Sequence, residues 1–268
     1  MNKNLIALAS LIATTSAFAA ADDDKPAPLG YSDTPLIPGS KWKVHDIDRP
    51  APPVVKPGAR RGDAPADAII LFNGTDTAQF FSRKKDDPAK YPCPWKFEHG
   101  ELIVNGGDCW TKLEFASCQL HLEWQSHPTT KGNSQKKGNG GVFFMDRYES
   151  QMLDCDHNPT YSDGMAGAVY GQTPPMVNAV RKAGEWQVYD IVFTAPKLAN
   201  GKVVEPARIT TFLNGVCVQN STSIMGPTMH KKTTDYSGNF PAKASLRFQD
   251  HKNEPPVRMR NIWMRPLP

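Results

Sequence analysis

The strongest constraint on this chain is the way turn signals divide it into short alternating runs. From Ala68 onward, Asn73-Gly74, His99-Gly100, Asn105-Gly106-Gly107 and Asn214-Gly215 separate segments in which apolar and polar residues alternate. Alternation with period two sends successive side chains to opposite faces of a strand. Asn-Gly accepts the positive φ that tight hairpins require, so Leu213-Asn214-Gly215-Val216 predicts a hairpin. Strands are expected at Ile69–Phe72, Trp95–His99, Glu101–Asn105, Cys118–Gln125, Gly141–Asp146, Tyr148–Leu153 and Ala168–Tyr170. They continue at Trp186–Thr194, Ala207–Leu213, Val216–Gln219, Ser245–Asp250 and Val257–Met264. No long helical period interrupts the series. The pattern predicts an all-β domain over residues 68–268, an antiparallel sandwich or jelly roll.

The N-terminus reads differently. Met1-Asn2-Lys3-Asn4 precedes an apolar run from Leu5 to Ala13, and Ser16-Ala17-Phe18-Ala19-Ala20-Ala21 offers small residues at A-x-A spacing. A basic start, a short apolar core and small residues predict a secretory signal peptide over residues 1–20. The expected destination is therefore secreted or periplasmic. No stretch approaches the roughly 20 apolar residues of a membrane-spanning helix, so no transmembrane segment is expected. Residues 21–67 are rich in proline and polar residues and are expected to form an extended arm or linker.

Five cysteines follow: Cys93, Cys109, Cys118, Cys155 and Cys217. Export permits disulfides, but an odd number leaves at least one thiol outside an internal bridge. Their spacing fits no zinc ribbon or CxxC motif. Cys93 and Cys109 flank a predicted hairpin and are the first pair to test. The formal charge of +4 is mild. Arg83-Lys84-Lys85 and Lys136-Lys137 lack the interleaved aromatics of a nucleic-acid-binding fold, so nucleic acid is not an expected partner.

Chemistry enters with the polar faces of the strands. In Tyr148–Leu153, Glu149 and Gln151 share one face. In Cys118–Gln125, Gln119, His121, Glu123 and Gln125 oppose Leu120, Leu122 and Trp124. Arg247, Gln249 and His251 alternate with Leu246 and Phe248, and Arg258 and Arg260 share a face. If these strands are neighbours on one concave sheet, Glu123, Glu149, Gln151, Arg247, Gln249 and His251 converge. Alternation alone more often marks an ordinary solvated face.

Ordered motifs add a resemblance. LFNGTD (71–76), WKFEHGELIVNGGDCWTKLEF (95–115), LHLEW (120–124), GNGGVFF (138–144), YESQMLD (148–154), AGAVYG (166–171), GEWQVYDI (184–191), FLNG (212–215) and the late LRFQDH and VRMRNIWMRPL segments resemble the 3-keto-disaccharide hydrolase family. The resemblance spans nearly all of 68–268 and implies a concanavalin A-like jelly roll acting on carbohydrate. A ketone at C3 acidifies the C2 proton of a sugar. Removing that proton lets the C1 substituent leave, and water then adds to the unsaturated sugar. Such chemistry needs a base near C2, an acid for the departing oxygen and a group that stabilises the enolate.

On that resemblance, Glu149 and His251 are the first candidates for proton transfer, with Glu123 as partner or orienting group. Arg260 and Lys112 are candidates for enolate stabilisation. Gln151, Gln249, Asn178 and Trp110 are candidates for holding the sugar. A divalent cation held by Glu and His is an alternative enolate stabiliser. The family's usual GNSG stands here as GNGG and its GEWN as GEWQ. Loops 157–164 and 226–239 are where substrate selectivity is expected. A lectin-like binding module and a conventional glucan hydrolase are the competing classes, because fold alone does not fix function.

Overall fold

Turn chemistry and alternation build most of the observed architecture. A computed structural model describes residues 26–268; the expected leader over residues 1–20 lies outside the described residues. Residues 26–54 and 55–268 form separate compact units. In the first, isolated bridges join Tyr31 to Asp46 and Leu36 to Lys43. The second holds all the strands, and it includes residues 55–67 that composition alone joins to the arm.

In chain order the strands begin with β1 (Ile69–Phe72), β2 (Phe80–Lys84), β3 (Asp87–Pro92), β4 (Lys96–Glu98) and β5 (Glu101–Ile103). Next come β6 (Cys109–Phe115), β7 (Cys118–Gln125), β8 (Gly140–Phe144), β9 (Tyr148–Met152) and β10 (Gln187–Thr194). The last are β11 (Lys197–Ala199), β12 (Lys202–Glu205), β13 (Arg208–Leu213), β14 (Val216–Ser223), β15 (Ala244–Phe248) and β16 (Arg258–Pro266). One sheet runs β14-β13-β10-β7-β16-β5-β4, with β1 also paired to β16; the other runs β3-β2-β6-β15-β8-β9. All pairings between named strands are antiparallel. The fold is the expected all-β jelly-roll sandwich. No described helix is long and apolar enough to cross a membrane.

The predicted hairpin forms between Leu213 and Val216, with Asn214 at φ 55° and Gly215 at φ 84°. Those two left-handed residues match the right-handed twist of the flanking strands. The core lies between the sheets. Leu120, Leu122 and Trp124 of β7 enter it from one side, and Phe144, Tyr148, Met152 and Phe248 from the other. Phe144 stacks on Phe193 of β10 with ring centroids 4.8 Å apart, joining the two layers. Tyr189 of β10 donates its hydroxyl to the Gln151 carbonyl.

The alternation of β9 follows directly. Tyr148 and Met152 point into the core, so Glu149 and Gln151 must point out of the sandwich. The segment Ala168–Tyr170, expected as a strand, contributes only isolated bridges of Val169 to Ser150 and Thr173. Strands β2, β3 and β6, and the short pair β11-β12, are additional to the expected set. All five cysteines are unbridged, and the Cys93 and Cys109 thiols lie within hydrogen-bonding reach of each other.

Candidate active-site cleft

Strand register lays one row of side chains across the outward face of the six-stranded sheet. Glu149 sits opposite Phe143, Phe143 opposite Arg247, Arg247 opposite Trp110, and Trp110 opposite Phe81. Residues directly opposite in an antiparallel pair share a face. At the β9 end of this row the surface deepens into a cleft of about 370 Å³. Its walls include Glu149, Gln151, Arg247, Gln249 and His251, with Gln135, Asn139, Phe143, Tyr161, Tyr170, Thr228 and His230.

Glu149 is only 4 % exposed and is the one carboxyl among the described residues lining the cleft. Gly141 of β8 makes room for it, because a Cβ there would lie 2.3 Å from Glu149 Oε1. Burial pushes the carboxyl up to about 8; nearby Arg247 opposes this and Asp108 adds to it. Desolvation penalises the charged form, so the acid is held neutral near pH 7.

The surrounding amides bear on the same point. Gln151 Nε2 donates to Gln135 Oε1 at 2.9 Å and Asn139 Oδ1 at 3.2 Å. That leaves Gln151 Oε1 3.0 Å from Glu149 Oε1 and 3.1 Å from the Gly140 carbonyl. Turning the Gln151 amide would satisfy those two oxygens but set its own oxygen against the amide oxygens of Gln135 and Asn139. Both are anchored: Gln135 Nε2 donates to Thr160 Oγ1 and the Gly164 carbonyl, and Asn139 Nδ2 to the Gln135 carbonyl. A proton on Glu149 instead turns the 3.0 Å contact into an O–H···O hydrogen bond. Only the Gly140 carbonyl then still faces oxygen.

Arg247 supplies the cationic wall. Its Nε donates to Asp146 at 2.6 Å and its Nη1 to Asp108 at 2.8 Å, while the guanidinium lies 3.5 Å from the Phe143 ring centroid. Asp108 also accepts from the Asp250 amide, and Asp250 accepts from the amides of Gly106 and Gly107. Asp250 therefore braces a loop and leaves the cleft to its neighbours. His251 is exposed at the rim. On the far wall the Tyr170 hydroxyl lies 2.6 Å from the Tyr161 hydroxyl and 2.9 Å from His230 Nδ1.

Not every expected site residue joins this cleft. Glu123 and Arg260 lie on β7 and β16 of the other sheet, so the expected convergence of Glu123 with Glu149 does not occur. Arg260 Nε donates to Glu123 Oε2 at 2.7 Å, and its guanidinium covers Trp186 at 4.0 Å. His121, 1 % exposed, bonds Asp190 through Nδ1 at 2.6 Å and stacks on Trp263. The chain around Gly62 closes over it, the Gly62 carbonyl accepting from Asn261 and Trp263. Burial works against the charge on His121, but Asp190 and Glu123 outweigh it and raise the imidazole to about 9. His121 and the nearby Asn261 and Arg260 lower Glu123 to about 2 against its burial. This polar face of β7 carries an ion network beneath Gly62, beside a separate cavity of about 180 Å³ that Arg61 and Arg181 also line.

Trp110 and Lys112 share the cleft's sheet face on β6 but line other ground. Trp110 stacks on Phe81 beneath Arg83, and Lys112 borders a separate depression with Lys90 and Tyr91. Asn178 is exposed and donates to the Cys155 carbonyl. Among the described residues no three His, Cys, Asp or Glu side chains gather as metal ligands.

The residues that sequence reasoning missed are Tyr161, Tyr170, Thr228, His230, Gln135 and Asn139. Tyr170 and Asn139 sit inside the AGAVYG and GNGG motifs, the available signal for them. Tyr161, Thr228 and His230 come from loops 157–164 and 226–239, whose residues carry no strand periodicity.

The 3-keto-alpha-glucoside-1,2-lyase-like domain matches residues 67–265. The crystal structure of "a putative glycosyl hydrolase" from Parabacteroides distasonis superposes with a TM-score of 0.76 at 36% identity, over 87% of this chain and 100% of that one. Two further structures with the same description and organism share the fold. One has a TM-score of 0.53 at 19% identity, covering 75% of this chain and 94% of that one. The other has a TM-score of 0.52 at 21% identity, covering 75% and 99%. No curated protein matches the sequence.

Proposed function

Because this chain belongs to the 3-keto-alpha-glucoside-1,2-lyase-like family, we propose that it cleaves 3-keto-glycosides by elimination at C1–C2 followed by hydration. One observation carries the reading: among the described residues lining the cleft there is one carboxyl, Glu149, and it is buried. A conventional glycosidase needs two carboxyl groups flanking the scissile bond. Elimination next to a ketone needs one acid for the leaving oxygen and a base that need not be a carboxylate.

Glu149 gives its proton to the departing C1 oxygen. Arg247, fixed by Asp108 and Asp146, faces the negative charge that develops on the C3 oxygen. A preorganised cation stabilises that charge without reorganising during the reaction. Gln249, half-buried in the cleft wall, presents an amide for sugar hydroxyls, while Gln151 and Asn139 hold the acid in place. His251 at the rim is the sequence-derived candidate for the base. The N-terminal leader read from the sequence would place this reaction outside the cytoplasm.

The test compares 3-keto-glucosides with good and poor leaving groups, in the wild type and Glu149→Gln. Loss of the acid is expected to lower kcat about 100-fold or more for a sugar leaving group, and far less for nitrophenolate, which departs without a proton. Equal losses for both would remove the acid role. Efficient cleavage of unoxidised glucans would favour the conventional hydrolase. Sugar binding without turnover of either substrate would favour a lectin.

A further inference from the structure

Sugar elimination needs a base whose own proton has somewhere to go, and the far wall of the cleft is built that way. Tyr170 Oη sits between Tyr161 Oη at 2.6 Å and His230 Nδ1 at 2.9 Å. The Tyr170 and His230 rings lie nearly parallel, at 20°. Tyr170 is half-buried and tied to the strand of the acid, its amide donating to the Glu149 carbonyl at 3.2 Å. Gly164 seats Tyr161, since a Cβ there would lie 2.1 Å from the Tyr161 ring. Each of the three side chains lines the cleft. His251, by comparison, is exposed and has no side-chain hydrogen bond to another described residue.

We propose that Tyr170, with His230 as its proton acceptor and Tyr161 as a positioning donor, is the group that removes the C2 proton. The inference rests on the elimination reading above. The relay runs with the Tyr170 hydroxyl donating to His230 Nδ1 and the Tyr161 hydroxyl donating to Tyr170 Oη. As the C2–H bond breaks, its proton passes to Tyr170 Oη while the phenolic proton moves to His230 Nδ1. The C–H electron pair becomes the C2–C3 enolate. The C1–O bond then breaks, the leaving oxygen takes the proton of Glu149, and an enone remains. His230 ends protonated and Glu149 ionised, and exchange with water restores both. Burial holds the Tyr170 phenol well above its ordinary value. The resting group is therefore the phenol, and proton transfer to His230 has to accompany the attack.

Proton abstraction can be read separately from bond cleavage. A 3-keto-1,5-anhydroglucitol has no leaving group at C1, so exchange of its C2 hydrogen in D2O, followed by NMR, reports the base alone. Wild-type protein is expected to catalyse this exchange, and Tyr170→Phe to lose about 100-fold or more of it with unchanged affinity and circular dichroism. His230→Ala is expected to lose exchange and to recover part of it with added imidazole, a response that a purely structural role would not give. Wild-type exchange left intact by Tyr170→Phe overturns the relay alone. The same holds if His251→Ala abolishes exchange while Tyr170→Phe retains it. Wild-type protein that neither exchanges this compound nor cleaves 3-keto-glucosides overturns both the relay and the elimination reading.

Discussion

A single carboxyl sets the character of the cleft, and its protonation is a statement about stability as well as chemistry. Glu149 stays protonated up to about 8 in the folded chain, against an ordinary 4.5. Below pH 4.5 both folded and unfolded forms bind the proton, and the group is neutral to stability. Above it the unfolded chain releases the proton first, so the folded state loses ground until pH 8. Each unit of separation is about 1.4 kcal/mol. Wild-type stability, from urea titrations at pH 5, 6, 7 and 8, should therefore fall more steeply with pH than that of Glu149→Gln, by up to a few kcal/mol. Parallel profiles would mean the carboxyl is ionised in the fold. Alternation singled out Glu149 and Gln151 because a strand with one core face must present the other. It could not reveal that the presented face is enclosed, since the enclosure comes from loops without periodicity.

At the scale of elements, register decides what alternation leaves open. The β8–β9 pairing brings Gly141 against the Glu149 side chain, so Gly141→Ala should displace the acid. We expect turnover of a sugar-leaving substrate to fall about 10-fold or more, with thermal stability changed little; full activity in the variant would show that the carboxyl moves without consequence. Strand β7 looked like a second supplier of cleft groups, and instead its polar face carries the network of His121, Glu123, Asp190 and Arg260. His121 is raised to about 9 from an ordinary 6.5. Its contribution is present in full below pH 6.5 and fades as pH rises to 9. Because the Asp190 side chain is partly exposed, water screens the pair, and removing one partner costs less than the roughly 3–5 kcal/mol of a fully buried one. His121→Ala should thus be destabilised at pH 6, less so at pH 9, and residues 55–67 should exchange amide hydrogens faster. Uniform destabilisation at both pH values would remove the charge from the explanation. Strand β3 escaped detection because Pro88 and Pro92 argue against a strand, yet it is an edge strand, where proline is tolerated.

For the whole molecule, stability rests on apolar faces meeting between two sheets. Leu122 is fully buried there, and Leu122→Ala should cost about 2–5 kcal/mol, read as a lowered midpoint in denaturant. Lys112→Ala, on the exposed face, should change the midpoint by no more than about 0.5 kcal/mol. A small loss at Leu122 would mean the sheets are less closely packed than the core implies. Period and turn chemistry alone set most of the strands, the hairpin at Asn214-Gly215, the core faces of β7 and β9, and the outward direction of Glu149. These are local properties, fixed by side-chain period and by the φ that each turn residue accepts. Which polar faces meet was left to the packing of the two sheets. The tertiary structure placed Glu123 and Arg260 on one sheet and Glu149 on the other, and it brought His230 to Tyr161 and Tyr170 from a segment 60 residues beyond Tyr170. Strand order depends on long-range pairing, which no period of two residues encodes.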